Sequence, residues 1–142
     1  MFLTGAAAGA GALALPPVSS AETPSTTKAD SRFRYALNTG TIRGYKLPLA
    51  EQINLVSRAG YTGIEPWVAD LAKAAETGGK LKEPAQRCAD AGIAVINAIG
   101  FAGWAMNDED TRAKGLEQMK RDMDLVAQMG GTHIAASPAG VN

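Results

Sequence analysis

Five side chains suited to binding chemistry stand where predicted β-strands end. Asn38 and Glu65 place polar groups at the ends of the first and second predicted strands. Trp67, Phe101 and Trp104 lie at or just beyond the ends of the second and third. Carboxylates and amides hydrogen-bond hydroxyl groups, and an aromatic ring packs on an apolar surface of a ligand. These five residues are therefore predicted to contact a small-molecule substrate, with Trp104 in a loop that forms part of a lid.

Each of these assignments has a structural alternative that the sequence leaves open. Glu65 either hydrogen-bonds a substrate hydroxyl or a neighbouring site residue, or it anchors the loop after its strand. For the aromatic residues the alternative is plain loop packing, and this interpretation is slightly favoured for Phe101.

Other reactive side chains are assigned structural roles. His133, the single histidine, stands at the start of a predicted strand, whereas the active end of a barrel is the C-terminal one. Cys88 lies on a predicted helix without a partner for nucleophilic chemistry. Asn97 is expected to be a satisfied interior amide, and the acidic run 108–110 a helix cap rather than a chelating cluster. No catalytic residue and no metal ligand is predicted in this chain.

Composition describes a globular domain of ordinary size. The chain has 142 residues with 14 basic and 14 acidic side chains, so its formal net charge is zero. A balanced charge gives no basic face, and nucleic acid is excluded as an expected partner. With one cysteine, the chain cannot form an internal disulfide.

The N-terminal residues have a different character. Residues 1–21 contain an uncharged Ala/Gly-rich run, two prolines and Ser19-Ser20-Ala21, which indicates an export signal too short to span a bilayer. The positive n-region is missing, and Phe-Leu-Thr before Gly/Ala is typical of a twin-arginine signal just after its arginines. We expect a truncated signal of this type, periplasmic localisation and a flexible linker over 22–31; a disordered tail on a mature protein is the alternative.

From residue 33 onward, short β-type runs alternate with helical patterns. The predicted strands are Phe33–Asn38, Tyr61–Trp67, Ile93–Ile99 and Thr132–Ser137. The third is nearly all apolar, which is typical of a parallel strand buried on both faces.

The helices between these strands have recognisable starts and apolar faces. One begins at Pro48 and buries Leu49, Ile53 and Val56. The segment 68–79 is predicted to be looser, with a short helix, and a further helix carries Leu81, Ala85, Cys88 and Gly92, with Pro84 in its first turn. The longest helix is capped by Asn107 or Asp108, with its inward stripe formed by Leu116, Met119, Met123 and Val126.

Three of these helices end in a glycine, at Gly60, Gly92 and Gly130. Glycine adopts the left-handed backbone that closes a helix before the next strand. A repeated βα unit predicts a parallel sheet. The first turn, 38–44, carries no dinucleotide or phosphate-binding fingerprint, so a (β/α) TIM-barrel type is preferred to a doubly wound sheet. The chain holds about four of the eight units that a closed barrel needs.

Four segments together resemble the sugar phosphate isomerase/epimerase family, whose fold is a xylose isomerase-like barrel. They are Ala59–Trp67, Ile99–Trp104, Lys114–Met123 and Gly130–Pro138. The resemblance covers almost everything from Phe33 onward and identifies 32–142 as the N-terminal half of such a barrel.

The resemblance implies aldose–ketose interconversion, or epimerisation next to a carbonyl, on a sugar or sugar phosphate. A divalent metal such as manganese is expected for the full-length family, with ligands on strands of the second half. No metal is expected for this chain alone, which the resemblance implies to be an inactive fragment.

Two other interpretations stay open. One is a carbohydrate-binding or self-associating half-barrel module, in which open sheet edges are covered by association. The other keeps the barrel but changes the reaction to that of a sugar-acid dehydratase. A related DNA-repair endonuclease is disfavoured because its histidine ligands have no counterpart here.

Overall fold

The structure, a computed structural model, describes residues 33–78, 81–138 and 140. The predicted export signal (1–21) and linker (22–31) lie outside the described residues. Among the helices described, none is both long and apolar enough to cross a membrane.

Short strands alternate with helices along the described part of the chain. The strands are β1 (Ala36–Asn38), β2 (Gly63–Glu65), β3 (Ala94–Val95), β4 (Ile99–Gly100) and β5 (Ala135–Ala136). The helices are a 3-10 helix (Thr39–Tyr45), α1 (Leu49–Arg58), α2 (Val68–Gly78), α3 (Lys82–Asp90) and α4 (Glu109–Gln128). The segment predicted to hold a short helix forms the 11 residues of α2.

The paired strands are parallel, which confirms the predicted α/β class. β1, β2 and β3 form one sheet in that order, and β4 pairs with β5. A parallel bridge between Trp67 and Ile99 continues the β2 pairing beyond the strand itself. The βα order and parallel pairing match a partial (β/α) TIM barrel of about four units.

The third predicted strand differs from its prediction in two ways. It is observed as two short strands, β3 and β4, separated by residues 96–98. It is also not buried on both faces: Ile93 is buried, whereas Ala94 is exposed and Ile96 is 49% exposed. Because side chains alternate between the faces of a strand, the helices cover one face here and leave the other accessible.

The core lies between the helices and the covered face of the sheet. Ile53 and Val56 of α1, Ile64 of β2 and Leu71 of α2 are fully buried there. Leu49 joins them, so the predicted apolar face of α1 is confirmed. Burial of this apolar area is the main contribution that holds the helices against the strands.

Proline and glycine set the ends of the helices as predicted. Pro48 directly precedes α1. Gly60, Gly92 and Gly130 follow α1, α3 and α4 with φ angles of 79°, 66° and 79°. Glycine adopts this left-handed geometry without the steric cost that a Cβ brings.

The buried face of α4 matches the predicted stripe only in part, since Val126 is buried as predicted and Met119 is half-buried. Asp108 caps the helix as expected, since its Oδ1 accepts from the Thr111 N–H at 2.8 Å. Leu116 and Met123, however, are 48% and 47% exposed. The buried positions are Gly115, Asp122 and Val126.

A close backbone contact explains the rotation of α4. A Cβ built on Gly115 would collide with the carbonyl carbon and oxygen of Gly103. The helix therefore packs through its smallest residue, and the bulkier Leu116 turns outward. Asp122, on the same buried face, accepts from the exposed Gln118 side chain at 2.5 Å.

We expect Gly115→Ala to destabilise the fold, although alanine is the better helix former. Helix propensity alone favours the change by roughly 1 kcal/mol, but the added methyl forces apart two backbones, at a cost of about 1–3 kcal/mol. Urea unfolding measures the free energy, and Lys114→Ala on the exposed side of the same turn is the control. A Gly115→Ala chain more stable than the parent would show that the contact is not tight.

Cys88 gives the fold a pH dependence of known sign. Burial raises the pKa of its thiol from the ordinary 9.0 to about 11. The unfolded chain therefore loses this proton first, and the contribution to stability is present below pH 9 and declines as the pH rises toward 11. The difference in unfolding free energy between the parent and Cys88→Ala should shrink between pH 8 and pH 10.5. Parallel pH curves would contradict the buried, protonated thiol.

Candidate functional site

Glu65 joins the ends of neighbouring strands through its carboxylate. Its Oε2 accepts from Asn38 Nδ2 at 2.6 Å, and its Oε1 accepts from Asn97 Nδ2 at 2.7 Å. Asn38 and Glu65 are register partners at the C-terminal ends of β1 and β2, and Asn97 follows β3. All three side chains are partly buried, where hydrogen bonds to a charged acceptor are strong.

The contacts of its oxygen atom fix the orientation of the Asn38 amide. Its Oδ1 accepts from the Gly40 N–H at 2.8 Å and from the Trp67 indole N–H at 3.2 Å. The first of these bonds caps the 3-10 helix. Because two N–H groups face the oxygen, the amide nitrogen must face Glu65.

Trp67 forms an aromatic wall beside these polar groups. Its ring lies 5.0 Å from that of Phe101, tilted by 57°, and the Arg43 guanidinium is 5.3 Å from the ring centre. Its backbone N–H donates to Thr39 Oγ1 at 3.1 Å. Phe101 is 49% exposed, so one side of the wall faces solvent.

Gly40 permits the close approach of Trp67 to the first strand end. A Cβ at this position would lie 2.5 Å from the indole nitrogen and 2.8 Å from Asn38 Oδ1. No side chain fits that gap. The tight turn after β1 therefore depends on glycine for a packing reason.

Trp104 is the predicted site residue that stands apart. The hydrogen bonds and ring contacts of the described residues do not connect it to the Glu65 cluster, by which we mean Asn38, Glu65, Trp67, Asn97 and Phe101. Its backbone lies against Gly115 of α4, and its indole nitrogen is buried without a hydrogen-bond partner among the described residues. Its assignment as a substrate contact stays a prediction.

Two residues that contact the predicted site residues, Asn97 and Arg43, were not themselves predicted to belong to the site. Asn97 was expected to be a satisfied interior amide, and it is satisfied, but by Glu65 itself. The sequence placed Asn97 inside a continuous apolar strand, 93–99, and its position at a strand end became visible only when that strand was observed as β3 and β4. Arg43 gave no signal in the sequence, because its place over Trp67 arises from the fold of the 3-10 helix.

The cluster does not have the donor set of a divalent metal centre. Its one carboxylate, Glu65, already accepts from two amides. Among the described residues, no three His, Cys, Asp or Glu side chains converge, whereas a hard cation needs several such oxygens or imidazoles. His133 is exposed before β5, beside Thr132 Oγ1 at 2.8 Å. What the geometry offers is a polar hydrogen-bonding centre bordered by aromatic rings.

Comparisons with known proteins give the family. The model of the xylose isomerase-like TIM barrel matches residues 53–142. No curated protein sequence matches the chain significantly.

Solved structures give the same fold. A 3-keto-D-glucoside 4-epimerase from E. coli is 26% identical, with a TM-score of 0.50, covering 61% of this chain and 32% of its own. A D-psicose 3-epimerase solved with D-fructose is 17% identical, with a TM-score of 0.60, covering 74% and 37%. A structure described as the probable 3-DHS dehydratase from Bacillus anthracis is 13% identical, with a TM-score of 0.61, covering 72% and 37%.

The chain thus spans about a third of the length of these three structures. The match over residues 53–142 includes β2 and the elements that follow it, and all paired strands have the parallel order of a barrel. With its sugar isomerase/epimerase-like fold, the chain belongs to the xylose isomerase-like TIM-barrel family.

Proposed function

We propose that the Glu65 cluster is the sugar-binding part of an isomerase or epimerase active site. The substrate is a small sugar or sugar phosphate, and the reaction is proton transfer next to a carbonyl. The observation that supports this proposal is the Glu65 carboxylate, which is held by two amides at adjacent strand ends beside the Trp67–Phe101 pair.

This arrangement suits both the hydroxyl-bearing edge and the apolar faces of a sugar ring. A sugar ring presents hydroxyl groups at its edge and C–H groups on its faces. Asn38 and Asn97 each use one amide proton on Glu65, and a primary amide carries a second proton that a hydroxyl oxygen accepts. The partly exposed ring of Phe101 supplies an apolar surface next to them.

The similarity to the 3-keto-D-glucoside 4-epimerase supports the reaction class. Removal of a proton beside a carbonyl requires a base and a group that returns the proton. The Glu65 carboxylate is the one ionisable acid in the cluster, and both its oxygens already accept hydrogen bonds. We therefore propose that these 142 residues, tested by themselves, bind sugar without turning it over.

A non-catalytic binding or self-associating module is the second candidate. It is favoured by the uncovered face of the sheet, where Ile96 is 49% exposed. The dehydratase alternative draws less support, because the likeness to the 3-DHS dehydratase, at 13% identity, concerns the fold.

We expect D-fructose to change the fluorescence of Trp67, and Glu65→Gln to weaken binding by about tenfold or more. The glutamine amide would face an amide of Asn38 or Asn97 and lose a charge-assisted hydrogen bond. The two asparagines would then no longer be held in the orientation that presents their remaining protons to the sugar, and about 1.4 kcal/mol of lost binding energy is tenfold in affinity. The titration is made with Trp104→Phe, which leaves Trp67 as the single tryptophan.

Glu76→Gln, an exposed carboxylate change on α2, serves as the control and should leave the titration unchanged. Equal binding by the Glu65→Gln and Glu76→Gln chains would contradict a role for the cluster in sugar recognition.

The 142-residue chain should not exchange the proton next to the carbonyl of D-fructose. Exchange needs a second proton-transfer group, and the described residues place none beside Glu65. Incubation in deuterium oxide with NMR detection measures this, with and without added manganese. Deuterium incorporation that Glu65→Gln abolishes would show that the chain is catalytic by itself.

A further inference from the structure

A second cleft lies among the helices. It encloses about 690 Å³ and is formed by the 3-10 helix, α1, α2 and α3. Much of its lining is apolar, with Leu49, Ala74 and Pro84 among the contributors. Of the residues that line it, Arg43 also contacts the Glu65 cluster, through the ring of Trp67. Its size falls in the range of small-molecule sites.

Gln52, one of the residues that line this cleft, carries a buried acceptor without a partner in the described part of the chain. The residue is 4% exposed, and its Oε1 is buried without a partner among the described residues. Its Nε2 donates to the Leu47 carbonyl at 3.0 Å and to Asp70 Oδ2 at 3.3 Å. Exchanging the amide oxygen and nitrogen would set an oxygen against two acceptors, so the orientation is fixed. An N–H or O–H group of a bound molecule would satisfy this oxygen once the side chain turns it toward the cleft.

Three cations line the same cleft: Arg43, Lys46 and Lys73. Each is exposed, and none forms an ion pair with another residue in the described part of the chain. A cleft whose lining carries an excess of positive charge attracts an anionic ligand.

The two acids of the cleft are already engaged. Asp70 accepts from Gln52 at 3.3 Å. Glu83 is paired with Arg87, which donates from Nε at 3.0 Å and also from Nη2. The Glu83 charge is offset by Arg87, and the three cations outnumber the remaining Asp70 carboxylate, so the lining keeps an excess of positive charge.

We propose that this cleft binds a small amphipathic organic anion. The apolar body of the ligand lies between α1, α2 and α3, and an N–H or O–H group donates to Gln52 Oε1. The acidic group lies near Arg43, Lys46 and Lys73. The site is separate from the strand-end cluster and does not depend on the activity proposed for it.

The probe is 8-anilinonaphthalene-1-sulfonate, which combines an apolar ring system, an N–H group and a sulfonate. Its fluorescence should rise saturably on binding to the full chain. The double substitution Lys46→Ala with Lys73→Ala should weaken binding by about tenfold, and Gln52→Leu by several-fold. In NMR spectra of the parent chain, the side-chain amide signals of Gln52 should shift as the probe is added.

Two controls separate this site from other surfaces. Lys82→Ala together with Lys120→Ala removes the same charge from α3 and α4 and should leave the affinity unchanged. Ile96→Thr tests the open sheet face. Loss of probe binding in Ile96→Thr with retention in the cleft variants would overturn the proposal, as would the absence of saturable binding or unshifted Gln52 signals.

Discussion

The carboxylate of Glu65 lies between two amides from neighbouring strand ends, and the order of the site depends on this bridge. Its Oε2 contact turns the Asn38 amide, whose oxygen then receives the Trp67 indole N–H. This hydrogen bond holds the Trp67 ring against Phe101 and beneath the Arg43 guanidinium. One charged group thus orients side chains from four segments. Parallel strands make this possible because their C-terminal ends meet at one edge of the sheet.

Local chemistry made much of the fold predictable from sequence. Gly60, Gly92 and Gly130 mark helix ends through backbone freedom, and Pro48 marks a helix start. Such signals depend on a few consecutive residues. The rotation of α4 does not: it follows from the contact of Gly115 with a loop 12 positions earlier. The apolar periodicity of α4 predicted that its larger side chains are the buried ones. A periodic pattern carries no information about a contact between two backbones.

The site was predictable to the extent that position after a strand decides it. Asn38, Glu65, Trp67 and Phe101 were found in this way, and the structure brings them together. Asn97 lies at a strand end only because the predicted strand 93–99 breaks after β3, and an amide in an apolar run is typical of an interior residue. Arg43 and Trp104 depend on loop paths, which strand and helix patterns do not specify. The positions of these two residues are determined by tertiary structure.

The two sites differ in how their buried polar groups are satisfied. In the Glu65 cluster, the carboxylate and the Asn38 amide oxygen each accept from N–H groups of the chain, so the cluster keeps its geometry without a ligand. Gln52 uses both its N–H groups on the chain and leaves its oxygen unpaired. A buried group in that condition gains more from an incoming donor than an exposed one does. Arg43 borders both sites, so an anion that draws its guanidinium toward the cleft would remove a cation from the Trp67 ring. Arg43 is thus a side chain that the two sites share.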